Sequence, residues 1–399
     1  MTEGARLLSW TRRSVLLAAA AATLPVRAQQ RLFVLGMLSQ SDDERYSPQA
    51  LQSAFPDAPG GRSAPAAEIA LNDSLVNLQM ATWTSSQLMA TEAPASGLVA
   101  TFNQLLQKGV HHVILELPAA GVAAVAAAAA GKDVILFNTA APEDALRAAQ
   151  CATNLLHTLP SHAMQMDAIA QLLVQRKWNR PLVLVGPTPG DRLLQAAWQR
   201  SARRFALRPV AEHAFKLSND PRERDLGNVR LLTSERDYDA VVVLDAQGEF
   251  ARDVPYRTVL PRPVLGSNGL TAQAWHPLFE RDGGPQLTRR FLRRTGRPMG
   301  SYEWATWVAA RAAAEVVGAY NKSTIAQQLQ ALRQGAVTVD GYKGERLSFR
   351  AWDGQLRQPL LLAYGSGVAE MAPLEGFLHP RTPLDTLGYD SPDTGCKAR

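Results

Sequence analysis

Short, almost continuous apolar runs alternate with segments of helical periodicity along most of the chain. The runs predicted as strands are 31–38, 113–115, 133–137, 181–185, 240–244 and 263–265. The segments predicted as helices are 66–78, 119–130, 161–178, 191–206, 285–295, 301–320 and 323–333. Strands that are apolar throughout are typical of parallel sheets covered by helices on both faces.

A second strand–helix series begins near Cys151, which divides the pattern in two. The 399 residues also suit two domains of roughly 150 residues better than one. The sequence therefore predicts an α/β fold with two doubly wound parallel-sheet lobes. The pattern changes towards the end, where residues 346–352, a turn at Asp353-Gly354 and residues 359–364 predict a β-hairpin.

The pattern of residues 1–28 predicts a cleaved export signal. The pair Arg12-Arg13 precedes an apolar stretch that is too short to span a bilayer, and Val26-Arg27-Ala28 is a small-x-small cleavage site. The arginine pair resembles a twin-arginine signal, and an ordinary secretory signal is the alternative. We therefore expect a mature chain that starts at Gln29, lies in the periplasm and does not insert in the membrane.

Charge and composition exclude several classes of protein. The formal net charge of +6 falls to +3 once residues 1–28 are removed, which is too weak to predict a nucleic-acid partner. Hydrophobic residues make up 46% of the chain and charged residues 20%, so the chain is not intrinsically disordered. Two cysteines in an oxidising compartment, Cys151 and Cys396, predict a disulfide that pins the C-terminal tail; two free thiols are the alternative.

The sequence contains no catalytic motif. It lacks a Gly-x-Ser-x-Gly elbow, a His-Glu-x-x-His pair and a phosphate-binding Gly-Lys-Ser/Thr loop. The adjacent His111 and His112 point to opposite faces of a strand, which makes a poor metal chelate. The residues by themselves therefore indicate neither a catalytic site nor a metal site.

Ligands of doubly wound sheets bind at the carboxyl ends of the strands. This rule selects the loops 39–46, 116–119, 138–142, 186–191, 245–248 and 266–269 as ligand contacts. With two lobes, these loops can face one another across a cleft.

The order of several segments resembles type I periplasmic binding proteins, the solute-binding components of branched-chain amino-acid ABC transporters. The segments are 35–39 with 66–73, 138–143, 154–161, and 344–349 with Asp353-Gly354. The resemblance implies two lobes joined by a three-crossover hinge near 148–152, 268–285 and 333–343. It also implies a monomeric binding protein without enzymatic activity and without a metal or a cofactor required for chemistry. Such a protein binds a small molecule and works with a transporter permease.

The expected domains follow from this resemblance. Lobe 1 comprises 29–150 and 280–335, and lobe 2 comprises 151–279 and 336–385. Residues 386–399 form a C-terminal tail.

A narrower resemblance is to a subfamily associated with pyrroloquinoline quinone (PQQ)-dependent alcohol dehydrogenase systems. It is carried by the segments 59–62, 136–138, 157–161, 275–276, 297–299 and 393–396, together with Cys151, Asn154 and Trp304. It implies PQQ or a related aromatic or carboxylate compound as the bound ligand, and a PQQ-dependent dehydrogenase as a further partner.

Three departures from the amino-acid-binding pattern disfavour a leucine-like ligand. The loop that starts at Glu116 has no serine, Ala140 stands where a hydroxyl is usual, and Asn268 stands where an acid is usual. A buried ammonium without a counter-charge costs several kcal/mol, on the order of the penalty for an unpaired buried ion.

A flat quinone needs aromatic faces and hydrogen-bond donors instead. Tyr46 beside Arg45 and Trp304 on its helix can supply these groups. Core packing is the alternative role for Trp304 and for Trp307 on the same helix. Arg62 is a further candidate cation, and a role in a turn is its alternative. The residues predicted to bind the ligand are Arg45, Tyr46, Glu116, Pro118, Asn138, Thr139, Gly186, Asp191, Asp245, Asn268 and Trp304.

The predicted function is capture of a small ligand between two lobes and its delivery to an ABC transporter linked to PQQ-dependent alcohol oxidation. Three alternatives stay open: a protein that binds branched-chain amino acids or amides, a sensor that presents its ligand to a membrane receptor, and a cofactor-handling factor for a dehydrogenase.

Overall fold

A five-stranded parallel sheet forms the centre of the first lobe. The computed structural model describes residues 31–53 and 55–397, so the predicted export signal lies outside the described residues. The elements of this part are β1 (Leu32–Gln40), α1 (Pro48–Ser53), α2 (Ala64–Met80), β2 (Ser85–Ala93), α3 (Leu98–Gln107), β3 (His112–Glu116), α4 (Ala119–Ala128), β4 (Ile135–Asn138) and β5 (Leu155–His157). The sheet order is β2-β1-β3-β4-β5, and every pair is parallel.

The second lobe contains a four-stranded parallel sheet in the order β7-β6-β8-β9. Its elements are α5 (His162–Gln175), β6 (Pro181–Val185), α6 (Pro189–Arg204), β7 (Ala211–Ala214), α7 (Val229–Leu232), β8 (Ala240–Leu244), α8 (Val254–Arg257), β9 (Val264–Gly266) and β10 (Thr271–Gln273). The strands β6 and β8 are buried along their whole length, as expected of strands covered by helices on both faces.

The chain then returns to the first lobe. The elements of this return are α9 (Gly284–Thr295), α10 (Ser301–Ala319), α11 (Ile325–Arg333), β11 (Val339–Asp340), β12 (Arg346–Phe349) and β13 (Leu356–Arg357). The helix α10 packs on α2, and Phe349 contacts Phe137 of β4 with ring centroids 6.3 Å apart. The last strands, β14 (Leu360–Tyr364) and β15 (Gly367–Ala372), pair with β10 in an antiparallel sheet on the second lobe.

These elements confirm the predicted α/β fold with two doubly wound lobes and a three-crossover hinge. The described chain passes between the lobes after β5, between β10 and α9, and between β13 and β14. Two of the predicted crossings were placed too early along the chain. Residues 151–157 belong to the first lobe because β5 pairs with β4, and residues 337–356 belong there because their apolar side chains join the first-lobe core.

The first strand and the turn of the predicted hairpin are confirmed, but its second strand is β13 and not residues 359–364. The strand β12 pairs with β11 and β13, whereas β14 pairs with β10 and β15. Leu347, Phe349 and Leu356 pack in the first-lobe core, while Leu360 and Leu362 pack in the second-lobe core. The turn at Asp353-Gly354 therefore lies within the first lobe, and the chain changes lobes only after β13, between Arg357 and Leu360.

Candidate ligand-binding cleft

The carboxyl ends of the strands in both sheets carry polar loops, as the fold rule requires. In the first lobe these loops follow β1, β3 and β4, and in the second lobe they follow β6, β8 and β9. Of the described helices, none is long and apolar enough to cross a membrane. No cluster of three or more His, Cys, Asp and Glu side chains in the described residues has an arrangement that could hold a metal ion.

Arg45 is held in place in the loop after β1. Its guanidinium donates to Asp43 through Nε (3.0 Å) and Nη2 (2.7 Å), and Nη1 donates to the carbonyl of Ala140 at 2.5 Å. The rings of Tyr46 and Tyr302 each lie 5.9 Å from the guanidinium carbon. The loops after β1 and β4 and the start of α10 therefore converge on one cation between two aromatic rings.

A second cluster surrounds the carboxylate of Glu116 at the end of β3. Ser63 donates to Oε1 through its backbone nitrogen (2.8 Å) and its hydroxyl (2.6 Å), and Ser39 donates to Oε2 at 2.9 Å. Arg62 donates to the same Oε2 at 3.3 Å, and its guanidinium lies 4.0 Å from the centre of the Tyr46 ring. Glu116 is buried, so this carboxylate ties the first-lobe loops together and leaves little capacity for a ligand.

Two polar atoms close to these clusters are not used by the protein. Among the described residues, the hydroxyl of Tyr46 and Oε2 of Glu143 are buried without a hydrogen-bond partner. Burial raises the pKa of Tyr46 well above its usual value of 10, and burial raises the pKa of Tyr302 to about 12. Both phenols therefore stay protonated at neutral pH, and Tyr46 can donate to a ligand and accept from it.

The second-lobe loops are satisfied by their own backbone. Asp191 accepts from the backbone nitrogens of Thr188 (2.7 Å) and Ala246 (2.6 Å). A side chain at Gly186 would place its Cβ 2.3 Å from Asp191 Oδ2, so only glycine allows this approach.

The acid and the amide that follow β8 and β9 are also used within their loops. Asp245 accepts from the nitrogens of Gln247 and Ala251, and burial raises its pKa. Asn268 donates to the carbonyl of Ala251 at 3.1 Å and accepts from the nitrogen of Gly269 at 2.7 Å.

Residues after α1 join the two lobes in front of the loops. Arg252 of the second lobe donates to the carbonyl of Ser53 at 2.6 Å, and its guanidinium lies 4.6 Å from the Phe55 ring. Further along, Asp57 accepts from the hydroxyl of Ser301 in the first lobe and from Gln165 Nε2 in the second lobe at 3.4 Å. Burial raises the pKa of Asp57 to about 7. Residues 53 and 55–57 therefore contact both lobes.

Several predicted ligand residues prove to be structural. Asn138 donates to Ala141 O (2.8 Å) and accepts from the nitrogens of Ala140 and Ala141, so its amide holds the loop after β4. Thr139 is buried and donates to Leu115 O at 3.3 Å. Pro118 is the residue that precedes the first turn of α4. The Asn138 side chain therefore holds its own turn, and the Thr139 hydroxyl joins that turn to β3.

Trp304 is a core residue of the first lobe. It is fully buried, stacks on Trp275 with centroids 6.1 Å apart, and donates from Nε1 to Gly341 O at 3.1 Å. The ammonium of the buried Lys343 lies 3.6 Å from the centre of the Trp304 ring. Burial lowers the pKa of Lys343 well below its usual value.

The structure thus gathers Arg45 and Tyr46 with residues that the sequence interpretation missed: Tyr302, Glu143 and Asp57. Only Tyr302 carried a sequence signal, since it lies two positions before Trp304 at the start of the same helix. Glu143 and Asp57 lie in loops whose paths are set by tertiary contacts.

Comparison with solved structures identifies the fold. A leucine-, isoleucine-, valine-, threonine- and alanine-binding protein from Brucella ovis, in a closed conformation, matches 86% of this chain and 95% of its own, with a TM-score of 0.67 and 11% identity. A solute-binding protein of an ABC transporter from R. palustris, in complex with benzoate, matches 92% of this chain and 99% of its own, with a TM-score of 0.60 and 12% identity.

A periplasmic binding protein from Burkholderia mallei matches 92% of this chain and 98% of its own, with a TM-score of 0.65 and 10% identity. No protein-family model and no curated protein matches the sequence. The chain therefore has the fold of type I periplasmic binding proteins.

Proposed function

We propose that this chain is the periplasmic solute-binding protein of an ABC transporter, which captures a small molecule between its lobes and presents it to a permease. The observation that carries the proposal is the pair of facing loop sets at the carboxyl ends of two parallel sheets, in a fold shared over most of its length with ABC-transporter binding proteins. Hinge closure around the ligand then produces the form that the membrane partner recognises. Binding is non-covalent, and any chemistry belongs to a partner enzyme.

We further propose an aromatic carboxylate as the ligand, with PQQ as the candidate that the narrower resemblance names. The rings of Tyr46 and Tyr302 flank Arg45, and the unused Tyr46 hydroxyl supplies one more polar contact. The benzoate complex of the R. palustris protein supports an aromatic acid as a ligand class that this fold can hold. Branched-chain amino acids are the competing ligand class, since the Brucella ovis protein is named for binding leucine, isoleucine and valine among others.

The ion pairs of Arg45 and Arg62 favour some charged ligands over others. Asp43 already pairs with Arg45, and Glu116 already pairs with Arg62. A carboxylate ligand can use only the remaining guanidinium N–H groups, so these pairs favour one carboxylate over a polyanion. We therefore expect a monocarboxylate such as benzoate to bind more tightly than PQQ if both arginines keep their partners.

A titration tests the proposal. Residues 29–399 are unfolded and refolded to remove any bound molecule, then titrated with benzoate, PQQ and leucine while melting temperature and tryptophan fluorescence are followed. One-site binding at ligand about 100-fold above Kd stabilises the protein by ~2.7 kcal/mol. Saturable one-to-one binding of benzoate or PQQ supports the aromatic class, and binding of leucine alone overturns it. No binding of any small molecule in a wider panel would overturn the solute-binding function.

A matched pair of variants places the site. Tyr46→Phe removes the buried hydroxyl that has no partner in the protein, whereas Tyr256→Phe removes one from a side chain that is 88% exposed. We expect weaker binding for Tyr46→Phe by roughly 1 kcal/mol, the usual net value of one hydrogen bond, and no change for Tyr256→Phe. Equal affinities for the two variants would exclude the Tyr46 hydroxyl from the site.

A further inference from the structure

The C-terminal tail after β15 is fixed to the second lobe by a buried carboxylate. Asp167 of α5 accepts from the backbone nitrogen of Gly388 at 2.7 Å, and Arg200 and Arg204 of α6 each donate both to Asp167 and to the carbonyl of Gly388. Gly388 has a φ of +83°, and a Cβ there would lie 2.8 Å from Met164 Cγ. Only glycine lets the tail lie this close to α5.

The same stretch of tail is fixed to the first lobe by a buried arginine. Arg350, which follows β12, donates from Nε to Asp385 at 3.1 Å and from Nη2 to the carbonyls of Leu384 (3.1 Å) and Leu387 (2.5 Å). Arg357 of β13 donates to the same Asp385 at 2.8 Å. Residues 384–388 therefore contact both lobes at once, close to the crossing between β13 and β14.

A disulfide bond attaches the end of the tail to the first lobe. Cys396 forms a disulfide with Cys151, which lies in the first lobe between β4 and β5. Cys396 lies eight positions after the Gly388 anchor, a reach of at most ~28 Å when the chain is fully extended. The tail thus runs from β15 in the second lobe, over the hinge, to a covalent attachment on the first lobe.

We propose that residues 384–396 form a brace, a fourth connection between the lobes that limits how far they separate in the ligand-free protein, and that the Cys151–Cys396 disulfide holds this brace in place. The three chain crossovers are single strands of backbone, whereas the brace adds ion pairs from Asp385 to the first lobe and backbone hydrogen bonds from Gly388 to the second lobe. Freed from Cys151, the tail can leave Arg350 and Asp167 without breaking the chain, and the lobes gain a wider range of opening.

The brace makes the opening of the cleft sensitive to thiol–disulfide exchange. An external dithiol reduces the bond by donating two electrons and two protons: its own thiols become a disulfide, and Cys151 and Cys396 become thiols. The inference depends on the two-lobed fold and not on the identity of the ligand. It is therefore tested without ligand, and a failed titration of the cleft leaves it standing.

The experiment compares ligand-free wild-type protein with Cys151→Ser/Cys396→Ser by small-angle X-ray scattering and by hydrogen exchange. We expect a larger radius of gyration for the double variant, and several-fold faster exchange at the cleft amides of Ala246 and Ala251, which are remote in sequence from the tail. Asp393→Ser, an exposed change in the same tail that keeps the disulfide, serves as the control and is expected to match wild type.

Reduction of the already folded wild-type protein with dithiothreitol provides the same comparison if the double variant does not fold. Circular dichroism verifies that the reduced protein keeps its secondary structure. An unchanged radius of gyration in folded, reduced protein, with faster exchange confined to residues 382–397, would overturn the brace and leave the disulfide as a local staple of the tail.

Discussion

Replacing Glu116 by Gln tests whether this buried carboxylate holds the first-lobe loops or contacts a ligand. The substitution keeps the shape of the side chain and removes its charge. Either orientation of the new amide points its NH₂ group at donors, since Ser63 donates twice to Oε1 and both Ser39 and Arg62 donate to Oε2. The Ser39 hydroxyl can rotate to accept, but the Arg62 guanidinium cannot.

The cost follows from these bonds. A hydrogen bond to a charged group contributes roughly 1.5–3 kcal/mol, and the substitution loses the bond from Arg62 and reduces the two from Ser63 to neutral ones. We expect a loss of ~2–4 kcal/mol in the free energy of unfolding. With an unfolding entropy of ~2.1 cal/mol/K per residue over about 370 residues, this lowers the melting temperature by ~3–5 °C.

Urea unfolding and calorimetry measure the effect, and Glu92→Gln is the matched control. Glu92 faces the same guanidinium, with 3.9 Å between Oε1 and Arg62 Nε, but its side chain is 57% exposed. An exposed pair of this kind contributes about 0–1 kcal/mol, so Glu92→Gln should unfold like wild type. If Glu116→Gln is as stable as Glu92→Gln and instead changes ligand affinity, the structural role assigned to Glu116 is refuted.

Three further predictions concern buried groups. The folded pKa of Asp57, about 7, exceeds the ordinary value of an aspartate, so the free energy of unfolding should fall as pH rises from 4 to 7. Asp57→Asn should remove that fall. Asp237→Asn changes an exposed aspartate whose φ of 61° is close to the 58° of Asp57, and it should leave the pH dependence of stability unchanged. Trp304→Phe loses the bond to Gly341 O and should destabilise by ~1–3 kcal/mol in urea without weakening ligand binding, whereas weaker binding at unchanged stability would restore Trp304 to the cleft. Asp167→Asn removes the carboxylate shared by two arginines and should cost ~3–5 kcal/mol by calorimetry, and a change below about 1 kcal/mol would show that this cluster is not a stabilising anchor.

The sequence was most informative about the buried strands. The runs 181–185 and 240–244 coincide with β6 and β8, because strands covered on both faces must be apolar throughout. The edge strands β2 and β7 were not predicted by the same criterion, since about half of their side chains face solvent and their sequences mix polar with apolar residues. The sequence also did not predict where the chain passes between the lobes before α5 and before β14, because neighbouring apolar residues there pack into different cores.

The sequence selected candidate ligand loops but could not say which of their side chains remain available. Arg45 and Tyr46 were found because they follow a buried strand, as the rule for doubly wound sheets requires. Glu116, Asn138 and Asp191 follow strands in the same way, yet each is used within its own lobe.

By itself the sequence determined the α/β class and the two strand–helix series, because these follow from local periodicity, and with them the sheet edges at which the rule for such folds places a ligand. Only the tertiary structure decided that Tyr302 joins Arg45, that Trp304 is core, and that the tail spans the hinge. These contacts join residues far apart in the chain, and their partners are selected by packing and by the pairing of buried charges, which no local pattern records.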